Sequence, residues 1–191
     1  DSSRDRGVRG AMPQQEYFSI KLPLLSERAC SPPNNEIHEQ NLRELRLPHD
    51  LEIVLPNSAK AARRAVWTCA RFFKREFDYD AVQYGHEGDE DEAHAYLWTT
   101  NNEDAKTTQL VLGACCFRWR AWTNVPACWC LEWVWLHPFQ RHRGHLTSAW
   151  AYFKKRYGEF YPMPPLSSAM QNFLEKQKKH AIKDTATQEY P

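Results

Sequence analysis

The chain contains no apolar run approaching the roughly 20 residues that span a bilayer, and its opening DSSRDRGVRGAM has no apolar core of a secretory signal. Both absences make the cytoplasm the expected setting and a membrane role an unexpected one. Charge of one sign is also missing. Lys and Arg number 25 against 24 Asp and Glu, a formal net charge of +1. Such a balance gives no general attraction to nucleic acid or to an anionic surface, so phosphate must be met locally if it is met at all. No cysteine pair has the two-residue spacing of a zinc site, and nothing marks the six cysteines (Cys30, Cys69, Cys115, Cys116, Cys128 and Cys130) as a disulfide framework. They are expected to be reduced thiols, mostly buried, and no metal is expected. Internal repeats and low-complexity blocks are absent as well.

What remains is enough to build a core without staples: 191 residues, 42% hydrophobic and 26% charged, the size of one domain with some tail. Residues 1–15 are expected to form a disordered arm and 16–50 an N-terminal extension, with an extended stretch around Tyr17, Ile20, Leu22 and Leu24 and a helix from Glu36 to Leu45. The domain proper is expected over 51–180, followed by a frayed tail over 181–191. Leu51 to Leu55 reads as a strand stopped by Pro56, after which Asn57 or Ser58 caps a helix to Phe77. Ala62, Val66, Cys69 and Phe73 recur on that helix at three- and four-residue steps, which predicts one apolar face. The acid-rich stretch His86 to Ala93 reads as a solvated loop. Three strands, Ala93–Thr99, Gln109–Trp119 and Ala127–Leu136, have short polar connections and so predict an antiparallel meander. A helix after Pro138 runs to Tyr157 and stops at Gly158; a short strand, Glu159–Met163, and a last helix, Ser167–Lys179, follow. The expected class is α+β (α/β).

Chemistry concentrates between Cys128 and Leu146. Alternation along the strand puts Trp129, Leu131, Trp133 and Trp135 on one face and Cys128, Cys130, Glu132, Val134 and Leu136 on the other, leaving one carboxylate in an apolar row. Desolvation makes a carboxylate a better proton acceptor, which suits a general base. The alternative is an ion pair between Glu132 and Arg118 or Arg120 of the neighbouring strand. Downstream, Arg141-His142-Arg143-Gly144-His145-Leu146 is read as opening a helix. First-turn amides are unpaired and carry the positive end of the dipole, Gly144 permits close backbone approach, and the basic side chains add charge, all of which favour a bound diphosphate. A plain basic turn is the other reading. The clustered tryptophans Trp119, Trp122, Trp129, Trp133 and Trp135 are expected as sheet packing, His137 as a cap or a solvent-facing residue, and Cys128 and Cys130 as small core residues.

The strand, His137-Pro138, and then Arg141-x-x-Gly144-x-Leu146 opening an apolar helix resemble the acetyl-coenzyme A signature of the Gcn5-related N-acetyltransferases, Gln or Arg, two residues, Gly, one residue, then Gly or Ala. Element order from about 51 to 179 resembles that family too, over roughly two-thirds of the chain, and the resemblance implies a mixed, mostly antiparallel central sheet flanked by helices. The stretch Gly158 to Met170 looks, more weakly, like relatives of the cohesion-type acetyltransferases. The resemblance implies that Arg141, His142, Arg143, Gly144, His145 and Leu146 surround the pyrophosphate and that Val134 and Leu136 flank the acetyl group. It also implies that Glu132 serves as base and that Tyr161, Ser167 or Ser168 protonates the leaving thiolate. Leu146 departs from the pattern, which has a small residue there. The function implied is transfer of acetyl from acetyl-CoA to a primary amine by direct attack, without a metal. The acid-rich loop turns the expectation toward a basic protein or peptide bearing a lysine rather than a small metabolite. The alternative function is a non-catalytic acyl-CoA-binding or protein-interaction module on the same scaffold.

Overall fold

In the computed structural model, residues 21–22, 47–85, 87, 93–101, 109–123 and 125–188 are described. The expected arm 1–15, the extended stretch around Tyr17, Ile20 and Leu24, the helix over 36–45, the acid-rich stretch other than Glu87 and Ala93, and residues 189–191 lie outside them. The elements in chain order are strand β1 (Lys21–Leu22), strand β2 (Leu51–Val54), helix α1 (Lys60–Phe77), strands β3 (Ala93–Asn101), β4 (Gln109–Trp122) and β5 (Val125–Leu136), a single 3-10 turn (Pro138–Gln140), helix α2 (His145–Tyr157), strand β6 (Tyr161–Pro162) and helix α3 (Ser168–Gln188). Strands run in the order β2-β3-β4-β5-β6, with β1 added on β4. Every pairing is antiparallel except β5 with β6, which is parallel. The sheet is therefore mixed and mostly antiparallel, as the resemblance implied.

Helices cover both faces of this sheet, so each strand sends alternate residues to a different core. On the α1 side, Val66, Cys69 and Phe73 of the helix pack on Ala95, Leu97, Cys116, Trp133 and Trp135. On the other side, Trp150 and Phe153 of α2 pack on Tyr96, Trp98, Phe117 and Leu131, with Met170 and Phe173 of α3 alongside. The apolar stripe predicted for α1 is the buried one. Its start is not capped as expected: Ala59 occupies the cap position, and the Ser58 hydroxyl instead accepts from the Leu55 amide at 2.9 Å, closing the turn ahead of the helix.

Three departures bear on the site. Alternation along β5 is broken, because Cys116 pairs with Trp133 and Phe117 with Leu131, leaving Glu132 as the extra residue of a β-bulge. Trp129 and Leu131 therefore share the α2 side with Val134 and Leu136, while Trp133 and Trp135 face α1. The expected helix after Pro138 is interrupted as well. His142 (φ 60) and Gly144 (φ 86) are both left-handed, a conformation that cannot continue a helix, so α2 begins only at His145. The third departure lies downstream, where β6 is shorter and α3 starts one residue later and runs further than expected. Trp119 and Trp122 are 43% and 41% exposed, so the packing role expected of the tryptophans applies to Trp133 and Trp135 but not to these two.

A candidate acyl-donor cleft between two parting strands

Parallel pairing of β5 with β6 lasts for two residue pairs, Cys130 with Tyr161 and Leu131 with Pro162, and ends with the Met163 amide donating to the Leu131 carbonyl at 2.9 Å. It cannot continue. Pro162, Pro164 and Pro165 carry no amide proton to give a ladder, and the bulge at Glu132 twists β5 at the same level. Beyond Leu131 the two chains part, and the gap widens into a cavity of about 760 Å³. Ligand sites commonly fall in the range of about 300–1,000 Å³.

The cavity is lined by β5 from Leu131 to Leu136, by Gln140, Arg141, His142 and Gly144 to Thr147, by Pro162, Met163 and Pro165 to Ser167, by Met170, Phe173 and Lys176 of α3, and by Phe73, Phe77 and Tyr79 at the end of α1. Of the residues expected in the site, Glu132, Val134, Leu136, Arg141, His142, Gly144, His145, Leu146 and Ser167 are brought together on this lining. Arg143, Tyr161 and Ser168 are not on it, and Tyr161 is 51% exposed.

At one end of the cavity stands the start of α2. Gly144 is its N-cap and no side chain caps the helix, which leaves the first-turn amides of His145, Leu146 and Thr147 without intrahelical acceptors. The Leu146 side chain is partly buried against the α2-side core and also borders the cavity. The side chains around the turn are more committed than expected. Arg141 donates to the Leu136 carbonyl (2.9 Å) and to the Glu76 carboxylate (2.6 Å), and Trp135 Nε1 donates to the same Glu76 oxygen (2.9 Å). Burial pulls the Glu76 carboxyl up, but the hydrogen bonds from Arg141 and Trp135 outweigh it and hold the group below its ordinary value. His145 Nδ1 meets Asp50 at 3.0 Å, tying α2 to the residue ahead of β2. Arg141 is thus a strut between α1, the end of β5 and the turn, while His142 and Arg143 are exposed.

Glu132 is 6% exposed and takes guanidiniums on both oxygens, Arg120 on Oε1 (Nε at 2.7 Å) and Arg118 on Oε2 (3.3 Å). The expected alternative of a cross-strand ion pair is therefore present, with two partners. Ser167 Oγ accepts from the Met170 amide at 3.2 Å and so caps α3, while its own proton stays free to be donated. His137 is buried at 3% and its Nδ1 accepts from the Phe139 amide, a cap and not a solvent-facing ring. The Cys128 and Cys130 sulfurs lie 4.0 Å apart, and burial pushes the Cys130 thiol up to about 12.

Sequence reasoning missed the α1 end of the cavity. Phe73 and Phe77 belong to a helical stripe that reads as core, Tyr79 follows a left-handed Asp78 with no local pattern, and Glu76 shows only as a charge on a wet face. The proximity of two phenylalanines to the end of α1 was the one available signal. Among the described residues, no group of three or more His, Cys, Asp and Glu side chains gathers as a metal site, and no helix is long and apolar enough to cross a membrane.

Neither a family model nor a curated protein matches the chain. Among solved structures it is similar to the xEco2 acetyltransferase domain bound to a CoA conjugate, at 13% identity and a TM-score of 0.48, covering 68% of this chain and 88% of that one. It is similar also to an aminoglycoside acetyltransferase from an uncultured soil metagenomic sample in complex with sisomicin (9% identity, TM-score 0.42, 68% and 84% covered). A ribosomal-protein-alanine N-acetyltransferase from Brucella melitensis biovar Abortus 2308 gives 13% identity and a TM-score of 0.40, with 66% and 88% covered. At these values the likeness is one of chain path, and the chemistry rests on this chain's own residues.

Proposed function

We propose that this chain is an acetyl-CoA-dependent N-acetyltransferase of the Gcn5-related kind that acetylates a primary amine by direct attack. The observation that carries the proposal is the fork itself: a cleft opened by the parting of β5 from β6, ending on the uncapped amides of α2. A diphosphate fits that end, because three first-turn amides and the positive end of the helix dipole lack a partner there and Gly144 has no side chain to stand in the way. The apolar stretch between the α2 turn and Leu131, with Val134 and Leu136 on its wall, suits a narrow thioester arm. Bound there, the donor supplies an activated acyl carbon and a good leaving group.

The chain's residues then have three tasks. Backbone amides at the turn hold phosphate, the cleft excludes water from the thioester, and side chains handle two protons. Glu132 is the carboxylate on the lining and the proposed acceptor of the amine proton; Ser167 is the proposed donor to the departing sulfur. Tyr161 and Ser168, off the lining, are weaker choices for that donor. A second reading, a non-catalytic acyl-CoA-binding module, is favoured by one observation: each Glu132 oxygen is already taken by a guanidinium.

Calorimetry with acetyl-CoA tests the site. Micromolar binding that weakens about a hundredfold in Gly144→Asp is expected, since the change adds strain at φ 86 and an anion beside the phosphates. No binding at millimolar acetyl-CoA would sink the proposal. Glu132→Gln then separates the two readings. Turnover falling by about a hundredfold or more supports the base, and unchanged turnover removes it from that role.

A further inference from the structure

The two walls of the cleft differ in kind. Toward α2 and α3 it is lined by Val134, Leu136, Leu146 and Met170. Toward α1 it is aromatic: the Phe73 ring lies 5.0 Å from Phe77, 4.9 Å from Tyr79 and 5.9 Å from Trp133, and Phe77 is 38% exposed. The polar handles of that wall are already used. Trp133 Nε1 donates to the Gln83 carbonyl (3.1 Å), Trp135 Nε1 to Glu76, and the Tyr79 hydroxyl crosses the cleft to the Pro165 carbonyl (3.3 Å). What the wall offers a ligand is ring face and ring edge.

The charges on the lining point the same way. Among the described residues there, Glu132 is the one carboxylate and two guanidiniums hold it, Arg141 is paired with Glu76, and Lys176 adds a further cation. A polyamine or an aminoglycoside has several ammonium groups that each need an acidic partner, and this lining has no uncommitted carboxylate to offer them. A single amine on an aromatic frame needs none. Its ring packs on the wall, and its ammonium is held by ring faces until it gives up the proton. With the phosphates of the donor at the α2 turn and its arm along Val134 and Leu136, the aromatic wall on the α1 side is the surface left for the acceptor.

Resting on the acetyltransferase reading above, we infer that the acceptor is a monoamine carried on an aromatic group, an arylalkylamine, seated against Phe73, Phe77 and Tyr79. This turns the expectation of a basic protein or peptide in a different direction. That expectation rested on the acid-rich stretch; its described member, Glu87, pairs with Lys60 at the far end of α1.

The test uses the full chain with tryptamine and spermidine as probes. Acetyl transfer is followed by thiol release and by the mass of the product, and equilibrium dialysis of each amine against CoA-saturated protein gives a reading independent of turnover. Tryptamine is expected to have a kcat/KM at least about tenfold above that of spermidine and to be retained in dialysis. Phe77→Ala, at a half-exposed position where folding is not at stake, is expected to raise the tryptamine KM about tenfold while the acetyl-CoA KM stays within about twofold. Spermidine or a lysine peptide equal to or better than tryptamine, or an unchanged tryptamine KM in Phe77→Ala, overturns the inference and leaves the acetyltransferase reading standing. Absence of acetyl-CoA binding in calorimetry overturns both.

Discussion

Strand β5 has two halves built from the same kinds of residue, yet they behave as different objects. Up to Leu131 it pairs with β4 and, at Cys130 and Leu131, with β6 on its other edge, and its Trp129 packs near His94 (4.6 Å) and Tyr157 (4.8 Å). From Glu132 onward it keeps β4 and loses β6, and its free edge faces a cavity. The closed half is secured by rings: Phe117 stacks on Tyr157 at 4.4 Å and meets Phe153 at 4.9 Å. The open half buries Trp133 and Trp135 against α1, and its remaining polar groups are secured by ion pairs, Glu132 with two arginines and Glu76 with Arg141. Apolar packing needs neighbours on every side, which a cleft edge lacks; an ion pair at hydrogen-bond distance needs only its partner.

The comparison is broken most severely at the closed half. Phe117→Ala removes a fully buried ring and is expected to cost about 3–5 kcal/mol. Urea unfolding followed by tryptophan fluorescence reads it, and a loss below about 1 kcal/mol would mean that the ring cluster is not what holds this half.

Acid sharpens the difference. Burial, with Arg156 adding to it, pulls the His94 imidazole from its ordinary 6.5 to about 4. The folded state therefore binds fewer protons there than the unfolded chain, so the stability it contributes is whole above pH 6.5 and is lost as pH falls toward 4. The full loss is about 3 kcal/mol. Glu76 is also held below its ordinary value, so its contribution too is lost on acidification, but only below the usual carboxylate range near about 4.3. The closed half should thus weaken first. His94→Gln is expected to flatten the fall in stability between pH 6.5 and 4.5, and a fall as steep as in the unaltered protein would assign it to other groups.

The smallest effect is expected at the strut. Glu76→Gln keeps an acceptor for Trp135 but removes the charge facing Arg141, in a pair whose side chains are each 33% exposed. Stability should change by no more than about 1 kcal/mol, and acetyl-CoA binding by about fivefold at most. A larger loss of affinity with unchanged stability would show that the strut sets the shape of the turn and not merely its position.

Much of this could be read without coordinates. The helix over Lys60–Phe77, the three-strand meander and the turn at Arg141 to Gly144 all announce themselves through periodicity, short polar connections and a glycine. The site was half legible. Val134, Leu136 and Leu146 are on the lining of the cleft, whereas Tyr161 and Ser168 lie off it and the α1 wall was invisible. Alternation also misassigned the faces of Trp129 and Leu131, because a bulge depends on the register with β4 and not on β5 alone.

The sequence by itself determined which segments are helix and which are strand, how they follow one another, and that a basic, glycine-containing turn ends the Trp-rich strand. These are local properties, set by side-chain period, proline and glycine within a few residues. Tertiary structure alone decided that Glu132 is an ion-pair hub, that Glu76 is bound to a residue 65 positions away, and that the end of α1 walls the cleft. Those outcomes depend on which surfaces meet when the sheet closes over its helices, and no window of neighbouring residues carries that information.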